Sequence, residues 1–275
     1  MKLVVIALAC LGCLQLAPGG SAAGSSGDLV VSIWHGAGAG RNLDLALVSG
    51  DGRPRFLTRV GVDDHSPSWA PDGGQIVFAR RGARRGGIYL LRGSTTIRLT
   101  HGPLDAAPAF SPDGKRIAFS RHTRLLVMRP NGSGQRLIVR TQLAPRQITW
   151  SVDGKRLLYS DEGRLRTVQV SSGAVDELGV AGLRPALSSD GSQIAYLASG
   201  GVGPFYRDLN WGVYVADSAG AGPTRVADGL FGPLSWSPDG ARLLATNGRE
   251  LVFVDLAART IRPLGLAGSG GAFRP

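Results

Sequence analysis

The sequence predicts an all-β fold: a six-bladed β-propeller with four antiparallel strands per blade, closed by N- and C-terminal strands that share one blade. Three observations predict it. A motif centred on an Asp-Gly pair returns five times at a spacing near 40 residues. Each copy is followed by further short runs of strand-forming residues, and the two chain ends carry the parts of a sixth copy. Four strands per repeat of this length is the signature of a propeller blade.

The five copies read PSWAPDGGQIVFAR, PAFSPDGKRIAFSR, ITWSVDGKRLLYSD, PALSSDGSQIAYLA and LSWSPDGARLLATN. Their aspartates are Asp72, Asp113, Asp153, Asp190 and Asp239, separated by 41, 40, 37 and 49 residues. Three residues before each aspartate stands a bulky anchor: Trp69, Phe110, Trp150, Leu187 or Trp236. The Ser-Pro-Asp-Gly type of sequence is a turn, because proline presets φ, aspartate bonds its own backbone and glycine accepts positive φ. Beyond the turn, Ile76 and Phe78, Ile117 and Phe119, Leu157 and Tyr159, and Ile194 and Tyr196 alternate with a period of two; in the last copy Leu243 is followed by Ala245. That is a strand. The residues between, such as Val77 and Leu158, are also apolar, which implies sheets covered on both faces.

Third strands are expected at residues 88–91, 125–128, 167–170, 212–217 and 251–256, and fourth strands at 97–100, 136–139, 176–178, 224–227 and 261–264. The end of the chain, GAFRP, aligns Phe273-Arg274-Pro275 with Trp69-Ala70-Pro71. The beginning supplies three strand-like runs, at 27–34, 43–48 and 55–58. One inner strand from the C-terminus and three strands from the N-terminus complete a sixth blade and remove exposed edges from the ring.

The first 23 residues read as an export signal: Lys2, an apolar run from Leu3 to Ala17, then Ser21-Ala22-Ala23 before the expected cleavage. The run is too short for a stable membrane span, so the mature chain, 24–275, is expected to have none. Both cysteines, Cys10 and Cys13, lie inside this leader. Cleavage after Ala23 leaves no disulfide, thiol nucleophile or thiolate metal site. A lipid anchor at Cys13 is the less favoured alternative, because neither cysteine has the residues a lipoprotein signal needs before it. The expected location is secreted, or periplasmic in the cell envelope.

Basic residues outnumber acidic ones, 31 to 20, for a formal net charge of +11, and only three are lysines. Such a surplus favours anionic partners; a solvated surface with an arginine bias accounts for it equally well. Nucleic acid is not expected for an exported protein.

The repeat resembles that of the TolB-like β-propellers, the WD40-like group built on a Trp-Ser-Pro-Asp-Gly turn, over about residues 28–275. The resemblance implies the fold and leaves the function open, since this fold hosts many activities. TolB itself carries an α/β domain ahead of its propeller, and none is expected in the few residues between the expected cleavage site and the first strand of this sequence. Val152 and Ser189 replace the turn proline, and Leu187 replaces the aromatic anchor. Similar propellers also precede the hydrolase domain of prolyl-oligopeptidase-like peptidases, but no Gly-x-Ser-x-Gly nucleophile elbow is present.

In a propeller the Asp-Gly turns share one face with the turns between third and fourth strands. The opposite face receives the other loops, and these carry the candidate site. They bring Arg81 and Arg84 (in RRGARRGG), His122 and Arg124 (in RHTR), and Asp64, His65, Asp105, Arg146 and Arg184 from the blade-to-blade connections. A long insertion at 199–210 adds Phe205, Tyr206 and Arg207, followed by Trp211. Arginine forks suit carboxylates and phosphates, and aromatics give rigid contact area. The competing reading is a set of solvated loops with Phe205 and Trp211 folded back on the blade. Asp64 and Asp105, each eight residues before a turn aspartate, are expected to point near the central channel, where they either bind a cation or, in the favoured reading, accept bonds from neighbouring backbone amides. All four histidines, His35, His65, His101 and His122, are placed on this face, yet no spacing such as His-x-x-x-His joins any two. HGAGAGR (35–41) has no following helix and so no phosphate-binding helix N-terminus.

The leading expectation is therefore a monomeric, non-catalytic scaffold without cofactor or metal, binding a protein or an anionic envelope polymer. The rival is a carbohydrate-active lyase or hydrolase with its site at the channel mouth.

Overall fold

The computed structural model describes residues 28–36, 41–50, 52–199, 211–229 and 231–275. The leader, both cysteines, and Phe205, Tyr206 and Arg207 lie outside the described residues. Among those described there are strands and turns but no helix, and hence none long and apolar enough to cross a membrane.

In chain order the strands are β1 (Leu29–His35), β2 (Asn42–Val48) and β3 (Pro54–Phe56); β4 (Asp64–Trp69), β5 (Gln75–Arg80), β6 (Gly87–Arg92) and β7 (Thr95–Arg98); and β8 (Asp105–Phe110), β9 (Ile117–Arg121), β10 (Arg124–Met128) and β11 (Arg136–Arg140). There follow β12 (Ile148–Trp150), β13 (Arg156–Asp161), β14 (Arg164–Gln169) and β15 (Val175–Ala181), then β16 (Leu183–Leu187), β17 (Gln193–Ser199), β18 (Trp211–Asp217) and β19 (Thr224–Asp228). The last are β20 (Phe231–Trp236), β21 (Arg242–Thr246), β22 (Leu251–Asp255), β23 (Thr260–Pro263) and β24 (Gly268–Phe273). They form six four-stranded antiparallel sheets, arranged as a six-bladed β-propeller. Five blades use consecutive strands; blade 1 has the order β24-β1-β2-β3. In it Leu29 lies opposite Phe273 and Val31 opposite Gly271. Gly271 has to be glycine, because a Cβ there would run into the Val30 carbonyl of the neighbouring strand.

The core lies between blades, not within them. One apolar cluster fills each of the six interfaces: Val77, Leu90, Phe110 and Ile117 between blades 2 and 3, for example, and Leu158, Leu165, Ile194 and Tyr196 between blades 4 and 5. Neighbouring residues of one strand enter different clusters, as Leu157 and Leu158 do. This is why the middle strands read as continuous apolar runs and not as alternating ones.

The repeat motif earns its recurrence through local bonding. In four blades a serine hydroxyl two residues before the aspartate donates to its carboxylate: Ser111 to Asp113, Ser151 to Asp153, Ser188 to Asp190 and Ser237 to Asp239, at 2.5–2.6 Å. The same hydroxyl accepts the amide five residues on, and the carboxylate accepts the amide two residues on. The motif glycines have φ between +64° and +74°, the left-handed turn conformation the sequence expects. Blade 2 has Ala70 in place of the serine, and Asp72 keeps only the amide of Gly74.

The anchors alternate around the ring. Trp69, Trp150 and Trp236 belong to blades 2, 4 and 6, and each donates its indole N–H to the inner strand of the preceding blade. The acceptors are the carbonyls of Ala272, Ala109 and Ala186, at 3.3, 3.0 and 2.9 Å. Blades 1, 3 and 5 carry Phe273, Phe110 and Leu187, which have no N–H to give. The blades are thereby stitched in pairs.

Candidate ligand-binding face

The antiparallel order puts the loops β1–β2, β5–β6, β9–β10, β13–β14, β17–β18 and β21–β22 on the same face as the blade-to-blade connections. This loop face holds those expected site residues that are described. Three of its aspartates, Asp64, Asp105 and Asp161, are buried and engaged, while the exposed Asp228 pairs with Arg225. Asp64, on β4, lies opposite Arg80 on β5, whose guanidinium grips it through both oxygens at 2.6 and 2.7 Å. Arg80 in turn packs over Tyr89 at 4.4 Å. Asp105 and Arg121 repeat the arrangement one blade on, at 2.6 and 2.9 Å. The bonds expected from backbone amides appear instead at Asp161, which accepts from Gln142 and Leu143 as well as from Arg166. Burial pushes the Asp64 carboxyl above its usual range even with Arg80 pulling the other way. Burial also opposes the charge of Arg80, but Asp64 outweighs it and holds that guanidinium protonated.

The cations are arranged differently. Arg84, Arg85, Arg124 and Arg146 are exposed, as are His101 and His122. Arg81 is exposed and meets Asp63 at 3.2 Å. The RRGARRGG loop is pinned from below: Arg98 donates to the carbonyls of Arg84 and Gly86, and the Tyr89 hydroxyl donates to that of Arg85. His65 is half-buried beside Ser66, and its pKa is pushed down to about 4 by burial and by Arg81, so it is neutral near pH 7. Trp211 opens β18 and packs against the cluster between blades 5 and 6.

At the axis, Ser66, Ala107, Pro108, Arg146, Gln147, Pro233 and Gly271, among others, line a cavity of about 130 Å³. Ser66 and Ala107 have positive φ, as does Arg184 at the same register in blade 5, and each marks a bulge in its inner strand. The Gln147 side-chain amide crosses from blade 4 to blade 6, donating to the Leu234 carbonyl at 2.7 Å and accepting its amide at 3.1 Å. This cross-brace was not expected from the sequence. Arg146 thus reaches the axis, whereas Asp64 and Asp105 do not line the cavity; their carboxylates are drawn off by guanidinia of the second strand.

No family profile and no curated protein matches the sequence. Solved structures do. TolB from Acinetobacter baumannii superposes with a TM-score of 0.77 at 22% identity, over 91% of this chain and 67% of that one. The fold is that of the TolB-like six-bladed propellers. A chain in a nidogen/laminin complex superposes on this TolB-like ring with a TM-score of 0.71 at 13% identity, covering 90% and 98% of the two chains. An oligogalacturonate lyase in complex with manganese gives 0.53 at 15% identity, over 88% and 74%.

Among the described residues no three His, Cys, Asp or Glu side chains come together as a metal-binding group. His35 approaches Asp44 at 3.4 Å, but that carboxylate is already bonded by Asn42 and Thr58.

Proposed function

We propose that this chain is an exported, non-catalytic propeller that binds a protein or an anionic envelope ligand through its loop face. One observation carries the reading. Carboxylates of that face, Asp63, Asp64, Asp105 and Asp161, are spent on partners within the fold, while Arg84, Arg85, Arg124 and Arg146 stand outside. The exposed acids of the same face, Glu162 and Asp228, are also paired, with Arg166 and Arg225; a face that pairs its acids within the fold and presents further bases outward attracts anions. The leader at residues 1–23 supports export, and the likeness to a chain in a nidogen/laminin complex supports use of such a ring as a protein-binding platform. The lyase reading rests on fold likeness alone.

The test compares two sets of four substitutions to serine in binding to an immobilised polyanion at low salt. Replacing Arg84, Arg85, Arg124 and Arg146 should weaken binding by about tenfold or more. Replacing Arg92, Arg129, Arg242 and Arg259, which lie at strand ends or in turns on the turn face, should leave it nearly unchanged. Equal losses, or no salt-sensitive binding by the unaltered chain, would contradict the proposal.

A further inference from the structure

We infer that the loop face docks onto an anionic lipid bilayer, a conclusion that rests on the proposed function and gives its ligand a chemical class. The arginines are only half of the surface. Among the described residues nine large apolar side chains are exposed. Four sit on outermost strands (Ile97, Leu137, Val175 and Ile261) and one, Val152, in an Asp-Gly turn. The remaining four are on the loop face: Trp34 at the end of β1, 39% exposed; Val60 before β4, 36%; Leu104 before β8, 60%; and Leu143 before β12, 48%. They come from four successive corners of the ring.

These tips are held out by the fold. The Leu104 carbonyl accepts the amide of His122 at 3.4 Å, and a Cβ at Gly86 would lie 2.8 Å from the Cα of Pro103, so the Leu104 loop rests directly on the arginine loop. The amide of Leu143 is tied to buried Asp161 at 2.9 Å, and its carbonyl to the Thr141 hydroxyl at 2.8 Å. A floppy loop could fold its leucine inward; Leu104 and Leu143 cannot without breaking these contacts. Cations flank each tip. Arg41 lies over the Trp34 ring at 4.8 Å and Arg59 precedes Val60; the loops of Arg84 and Arg85 and of His122 and Arg124 touch the Leu104 loop, and Arg146 follows three residues after Leu143, toward the axis.

A protein partner is gripped through a contiguous apolar centre with pockets, but here the apolar tips stand apart with arginines between them. A bilayer surface suits that pattern. Separate leucines enter the acyl boundary, a tryptophan sits at headgroup level, and arginines reach the phosphates. Anionic lipid adds attraction of roughly fivefold per arginine near the surface.

The experiment measures binding of the full chain to phosphatidylcholine vesicles with and without phosphatidylglycerol, and in parallel to soluble heparin. The variants are Leu104→Ser with Leu143→Ser, both exposed and outside the core. The expected result is phosphatidylglycerol-dependent binding that falls by about tenfold in the double variant, with heparin binding unchanged. The apolar run at residues 3–17 is common to every variant, so a Leu104→Trp variant supplies a local readout. Its added fluorescence should be quenched by acyl-brominated lipid. Vesicle binding that is absent, or equal in the double variant, or that leaves position 104 unquenched, overturns the bilayer. If heparin still binds in that event, the anionic-ligand reading survives; if heparin fails too, both fall. Loss of a purified protein partner by the double variant, with no vesicle binding, would assign the tips to a protein.

Discussion

On the turn face, Asp113, Asp153, Asp190 and Asp239 each take a serine hydroxyl from two residues back and an amide from two residues on, and each carboxyl is held below its usual range by that serine first of all. Asp190, fully exposed, is drawn down to about 2. On the loop face, Asp64, Asp105 and Asp161 are buried, and each needs a guanidinium from another strand: Arg80, Arg121 or Arg166. The first set repeats because its partners come from within one turn, so the same few residues rebuild it in every blade. The second set depends on cross-strand pairs that only some blades possess. The turn face is thus where the sequence restates the fold, and the loop face is where the blades differ and where a ligand can be chosen.

Substitution should separate the two kinds of aspartate, and the largest effect is expected on the loop face. Asp64→Asn leaves Arg80 buried without a counter-charge and should cost about 3–5 kcal/mol, lowering the melting temperature by about 10 °C for a chain of this size. Asp72→Asn, in an exposed turn that asparagine also suits, should cost less than about 1 kcal/mol. Similar losses at both positions in thermal melts would erase the distinction.

A smaller effect tests the turn itself. Ser237→Ala removes a hydroxyl bonded to Asp239, to the amide of Arg242 and to its carbonyl, and should cost about 1 kcal/mol or somewhat more. Ala70→Ser in blade 2 restores the missing partner of Asp72 and should stabilise by about 0.5–1 kcal/mol. A destabilised Ala70→Ser protein would mean that blade 2 no longer has room for the shared turn.

The strands were legible because their signals are local: a turn of fixed chemistry, then apolar runs of strand length. The anchors at 69, 110, 150, 187, 236 and 273 could also be read, but their alternation gains meaning only once each indole is seen to bond the blade before it. The Asp64–Arg80 and Asp105–Arg121 pairs stand at one spacing in two blades, a signal present in the sequence whose sense depends on the hairpin register. Gln147 gave no signal, because its partner Leu234 is two blades away across the axis. Of the candidate site, the exposed arginine loops were legible. The apolar tips were not, since a leucine in a loop reads the same whether it points inward or out.

The assignment of loops to faces follows from how the ring closes, with β24 beside β1, the Arg274 amide bonded to the Asp28 carbonyl and the Arg274 side chain to the Asp28 carboxylate. Amide hydrogen exchange over residues 266–275 of the intact chain tests that directly. The account predicts that these amides exchange as slowly as those of the other inner strands, β4 and β8, because all open only with the ring. Exchange at the rate of exposed chain, with the remaining blades still protected, would contradict it and dissolve the two-faced map of the surface.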